Sequence, residues 1–152
     1  MSDLYQDDIV SWSERQAQLL RQHAAVARVN DAIDWPNIIE EIEAVGGSER
    51  AALASHIGTV IEHLLKLQAS PAKAPRSGWR ETVIRTRSAV AAQLEDSPSL
   101  RAKVDSMVAR QLSRQRRLVA DVLALYDEAP LVPLEGIVFS VDQVLGSWFP
   151  AD

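Results

Sequence analysis

Residues 48–69 read SERAALASHIGTVIEHLLKLQA, and the spacing of their apolar side chains decides the fold. Leu53, Ile57, Val60, Ile61, Leu64 and Leu67 recur three or four positions apart. An α-helix turns about 100° per residue, so this spacing places all six on one face. The pattern predicts a helix from about Ser48 to Ala69, central to the core. It stops before Ser70-Pro71-Ala72-Lys73-Ala74-Pro75, where two prolines punctuate a loop.

The same period continues on both sides. Upstream, Asp34 as a cap and Pro36 in the first turn open a second helix, with Ile38, Ile42 and Val45 inward beside Trp35. Gly46-Gly47 reads as its C-terminal stop. Helix one is expected from about Asp7 to Ala27, capped by Asp7 or Asp8. Its face is Ile9, Trp12, Gln16, Leu19, Leu20, His23 and Val26, and residues 28–34 connect it onward.

Downstream, a fourth helix is expected over Ser77–Leu94, with Trp79, Val83, Thr86, Val90 and Leu94 inward. Ser97-Pro98 then caps and restarts the chain into a fifth, which reaches about Tyr126. Its inward residues are Leu100, Val104, Met107, Val108, Leu118, Val119, Val122 and Leu125. Pro130 and Pro133 end the helical run, and Ile137-Val138-Phe139 reads as extended or irregular. Ser140-Val141-Asp142-Gln143 matches a capping box for one short helix. No run alternates long enough to build a sheet. The expectation is an all-α, single-domain helical bundle over residues 1–152, with about five main helices and a short C-terminal one.

The 152 residues include no cysteine, which removes disulfides, cysteine-ligated zinc and thiol catalysis. The acidic start at Asp3, Asp7 and Asp8 lacks the basic and apolar blocks of a secretory signal, and no stretch approaches the ~20 apolar residues that span a bilayer. A cytoplasmic protein that does not enter membranes is expected. Net charge is −5 but unevenly placed: −6 over residues 1–50, +6 over 76–117 and −6 over 118–152. A basic middle between acidic ends either pairs within the fold, stays solvated, or meets a polyanion.

Several blocks, in order, carry a family resemblance. They are Leu4-Tyr5 with Asp7 or Asp8 and Trp12; Asn37-Ile38-Ile39-Glu40-Glu41-Ile42-Glu43 followed by Gly46 and Ser48-Glu49-Arg50; and His63-Leu64-Leu65-Lys66-Leu67-Gln68. Ser77 with Trp79-Arg80, then Asp96-Ser97-Pro98-Ser99-Leu100, then Val144-Leu145 with Phe149-Pro150 complete the set. Across nearly its whole length the chain resembles domain-of-unknown-function family twenty-nine, a bacterial family rich in cyanobacterial members. The resemblance implies a helical domain and supplies no activity or catalytic residue. Gly146-Ser147 departs from the more acidic pattern expected there.

Three constellations could carry chemistry. Glu41, His56 and His63 are candidate metal ligands: if helices two and three formed an antiparallel hairpin, Glu41 and one of the histidines could converge, and carboxylate and imidazole ligands from facing helices build bundle metal sites. The diagnostic Glu-x-x-His spacing is absent, however, and a hydrogen bond tying two helices is the plainer reading. Lys103, Arg110, Arg114 and Arg117 fall within about 60° on helix five and could contact phosphates, with Arg80 and Arg87 as a second pair. No aromatic residues are interleaved for base stacking, so nucleic acid is not the expected partner. Gln111 and Gln115 sit inside the apolar face of helix five. Either they hydrogen-bond at a helix interface or that face is exposed as a partner surface.

His23 reads as a satisfied side chain. The tryptophans Trp12, Trp35, Trp79 and Trp148 read as structural, with a ligand pocket lined by Trp35 and Trp79 as the alternative. No nucleophile elbow or phosphate loop occurs. The reading leans away from an enzyme and expects no cofactor. It favours a non-enzymatic interaction or scaffold domain that binds a protein partner or itself through helix five. A metal-dependent enzyme and a nucleic-acid binder are the alternatives.

Overall fold

The computed structural model describes residues 3–26 and 32–151. It is all-α: α1 (Leu4–Asp7), α2 (Ile9–Val26), α3 (Trp35–Ala69), α4 (Arg76–Asp96), α5 (Val104–Leu125) and α6 (Val141–Leu145). Short 3-10 turns cover Pro98–Lys103 and Leu134–Gly136. No strand occurs among the described residues, and none of their helices is long and apolar enough to cross a membrane. The expected end of the first helix at Ala27, and most of the connection behind it, lie outside the described residues. The chain divides into two compact units: residues 1–52 with 93–101, and residues 53–92 with 102–152.

Two boundaries differ from the sequence reading: the helix expected to restart at Ser97-Pro98 is α-helical only from Val104, behind a 3-10 turn over Pro98–Lys103, and the expected stop at Gly46-Gly47 is absent. Helices two and three are a single helix, α3, running 35 residues straight through Gly46-Gly47. A glycine stop needs a left-handed residue, and no described glycine has positive φ. The buried positions recur every seven residues: Ile39 and Gly46 in the first unit, and Leu53, Val60 and Leu67 in the second. Ile38 and Val45, expected inward, are exposed one position away.

In the first unit α2 buries Val10, Ser13 and Ala17 rather than the larger Leu19 and Val26, which are exposed. The cause lies on α3. A Cβ added to Gly46 would come within 2.7 Å of Ser13 Oγ and 3.5 Å of Val10 Cγ1. Small residues therefore let two backbones approach. Asp8 fixes the start of α2, accepting from Ser11 N at 2.8 Å, from Ser99 N at 2.7 Å and from Ser99 Oγ at 3.0 Å. Burial opposes ionisation of its carboxyl, but the hydrogen bonds from Ser11 and Ser99 more than offset this and hold its pKa below the ordinary value.

In the second unit the six residues of the opening stripe are all at most 1% exposed, as their spacing predicts. Truncating any of its leucines or isoleucines to alanine is expected to remove about 2–5 kcal/mol. On α4, Arg87 shares the buried row with Val83 and Val90. Its guanidinium donates to the carbonyls of Gln143 (2.7 Å), Val144 (2.8 Å) and Trp148 (2.7 Å). Gln143 and Val144 lie in the last turn of α6, where carbonyls lack partners within the helix. Arg116 of α5 likewise donates to the carbonyl of Ile137. Two cations of the basic middle thus hold the C-terminal tail by its backbone. The capping box forms as expected, with Gln143 N on Ser140 Oγ at 3.1 Å and Ser140 N on Gln143 Oε1 at 2.9 Å.

Candidate functional site

The inward face of α5 consists of Val104, Met107, Val108, Leu112, Gln115, Val119 and Leu123. Two residues expected inward, Leu118 and Leu125, are 43% and 77% exposed. The seam runs through Gln115, whose polarity hides it from an apolar count. Gln115 Nε2 donates to Gln111 Oε1 at 3.1 Å, and the pair closes over Gly58 of α3. A Cβ at Gly58 would stand 2.6 Å from Gln111 Oε1 and 3.0 Å from Gln115 Nε2. Gln115 is buried and Gln111 half-buried, so these amides belong to a helix seam and are not an exposed partner surface.

What α5 does expose is a different strip. Arg114, Leu118, Asp121 and Leu125 recur three or four apart and face solvent. Arg110 and Arg117 flank this strip, also exposed. Lys103 does not continue the stripe in register, because it ends a 3-10 turn before α5 begins. The pair expected on α4 is not a surface stripe either. Arg87 is buried, and both it and Arg80 sit against the Phe149 ring, at 4.9 Å and 5.0 Å from its centre.

Glu41, His56 and His63 do not come together. All three lie on α3, so no hairpin can fold Glu41 back on the histidines. His63 Nδ1 is hydrogen-bonded to the carbonyl of Thr59 at 2.8 Å. In the same run, Glu43 rather than Glu41 takes an arginine, Arg21, at 2.5 Å. The Arg21 hydrogen bond holds the Glu43 carboxyl below its ordinary pKa. Among the described residues no group of three or more acidic or histidine side chains could hold a metal. His23 is exposed, its ring 5.9 Å from that of Trp35.

The sequence reading missed a cavity of about 420 Å³ in the second unit, at the C-terminal end of α5. Trp79 lines it, without Trp35. Its apolar wall includes Val122 and Tyr126, and its polar groups are Lys66, Ser70 and Glu128. Local structure aims the last of these. α5 ends in a Schellman turn, with Asp127 left-handed at φ 54°, Asp127 N on Ala124 O at 3.1 Å and Glu128 N on Leu123 O at 2.9 Å. The turn brings the Glu128 carboxylate to Ser70 Oγ, which donates to it at 2.7 Å. Lys66 pairs with Glu62 at 2.5 Å. The signal for this site was an Asp-Glu pair just past the last helical turn, a position read only as a helix end.

Against known proteins, residues 4–149 match the family model described as "Domain of unknown function DUF29". A solved structure, an α-helical protein of unknown function from Rhodospirillum rubrum, superposes with a TM-score of 0.75 at 21% identity, covering 99% of this chain and 93% of that one. At that identity the likeness bears on the fold alone. No curated protein matches the sequence.

Proposed function

The chain belongs to this family of unknown function, and on that premise we propose that it is a non-enzymatic interaction domain that pairs with a second copy of itself through the outer face of α5. The observation that carries the reading is the exposed strip Arg114, Leu118, Asp121 and Leu125. Large aliphatic side chains left in water on a regular helix face gain about 25 cal/mol per Å² when covered. Helix-on-helix packing covers them with little rearrangement.

The order of charges selects the occupant. Arg114 precedes Leu118 by four residues and Asp121 follows it by three. If two copies of the strip run antiparallel about a two-fold near Leu118, Arg114 of each lies beside Asp121 of the other. A surface complementary to itself under a two-fold is what an isologous dimer requires. An unrelated partner would leave this arrangement without a cause. The strip offers two large apolar side chains per copy, Leu118 and Leu125, so the association is expected to be weak and concentration-dependent.

Sedimentation velocity on untagged protein over a wide concentration range tests this. A reversible monomer–dimer shift, lost in Leu125→Glu with helicity unchanged, supports the reading. A monomer at every concentration, or a dimer indifferent to Leu125→Glu, contradicts it.

A further inference from the structure

We infer that the cavity at the end of α5 is a binding site for a small organic cation, an ammonium carried on a flat apolar body. This goes beyond self-pairing and uses other residues. The cavity's volume of about 420 Å³ lies in the range of small-molecule sites, and its walls are mostly apolar with a few polar groups, as such sites are.

Charge and aromatic content select the class of ligand. Lys66 is already neutralised by Glu62, at 2.5 Å, with both side chains largely buried. Glu128 accepts one neutral hydrogen bond, from Ser70 Oγ, and no described cation forms an ion pair with it. The charge left over on the cavity wall is therefore negative. Two aromatic side chains, Trp79 and Tyr126, line the same space. Aromatic faces attract cations through their quadrupole, and a carboxylate beside them supplies the counter-charge. An acid would meet Glu128, and among the described lining residues the one ammonium, on Lys66, is already engaged. A neutral molecule would leave the carboxylate without a counter-ion.

The site is held in shape by the fold. Ser70 Oγ also accepts from Ala72 N at 3.1 Å, and Leu131 N caps the last carbonyl of α3, on Ala69, at 2.7 Å. The Schellman turn fixes where Glu128 leaves the helix.

Calorimetric titration of the full chain with phenethylamine, 2-phenylethanol and 3-phenylpropanoate tests the inference. These probes share a ring and a two-carbon spacer and differ in charge. Phenethylamine is expected to bind at least about tenfold tighter than either of the others. In Glu128→Gln that preference is expected to disappear while the thermal midpoint stays put. Comparable binding of all three, tighter binding of the acid, no saturable binding of the amine, or an undiminished preference in Glu128→Gln would each overturn it. The comparison of probes on the unaltered chain decides the matter even if the variant folds poorly.

Discussion

Ser13 Oγ stands 2.7 Å from where a Cβ on Gly46 would sit, while nothing lies within 4 Å of the same point on Gly47. The two neighbours therefore answer the same substitution with opposite sign. Gly47→Ala replaces a poor helix former on an open face and is expected to stabilise by about 0.5–1 kcal/mol. Gly46→Ala gains the same propensity but drives into a buried serine whose hydroxyl is fixed on Val10 O at 2.9 Å. A net loss of roughly 1–2 kcal/mol is expected. Urea denaturation of the two variants checks both signs. A helix broken at this pair would instead lose stability in both.

This pair also shows how far the fold could be read from the chain. Period and end signals identified an all-α protein, the central stripe of α3, the capping box and the extended tail. They failed where a small or polar residue replaced an apolar one in a seam. Gly46 reads as a stop because propensity is local, whereas the close approach of α2 is tertiary. Gln115 reads as a possible surface because its partner, the bare backbone at Gly58, leaves no mark nearby in sequence. The cavity was hidden for a related reason: Lys66, Trp79 and Glu128 come from three separated segments, and only the turn at Asp127 orders the last of them.

Arg87 is expected to be among the costliest positions to change. Its side chain is buried, and it makes three hydrogen bonds to tail carbonyls and a contact with the half-buried Phe149 ring. Burial pushes its pKa down, yet a guanidinium stays charged at any working pH. Arg87→Ala is expected to lose about 3 kcal/mol or more, since it strands those acceptors. Arg87→Lys is expected to recover little, because an ammonium lacks the planar fork that reaches three carbonyls. Thermal denaturation of both variants measures this; full recovery by lysine would show that charge alone matters.

Asp8 gives the protein an acid-side dependence. Its folded pKa lies below the unfolded one, so its contribution is fully present above the unfolded value near 4. That contribution fades as pH falls toward the folded value. Asp8→Asn is expected to cost about 1–2 kcal/mol at neutral pH. The gap between variant and parent should narrow on acidification. A gap that is constant from neutral pH to pH ~3 would contradict the assignment.

Asp127 occupies the left-handed position that glycine normally fills at a helix end. Asp127→Gly is expected to raise stability by up to about 1 kcal/mol. The position of Glu128 is set by the same turn, so amine binding should survive the change. Chemical denaturation reads the first effect and calorimetry the second.

Self-pairing through α5 is tested most directly by a charge exchange read in sedimentation velocity. Arg114→Asp and Asp121→Arg each place like charges opposite one another in a homodimer, so each alone is expected to remain monomeric. Mixed one to one, they restore both opposite-charge pairs, and a heterodimer is expected at concentrations where neither variant self-associates. A mixture that stays monomeric while the unaltered chain dimerises would show that the antiparallel register is wrong. An unaltered chain that never dimerises would remove the proposal altogether.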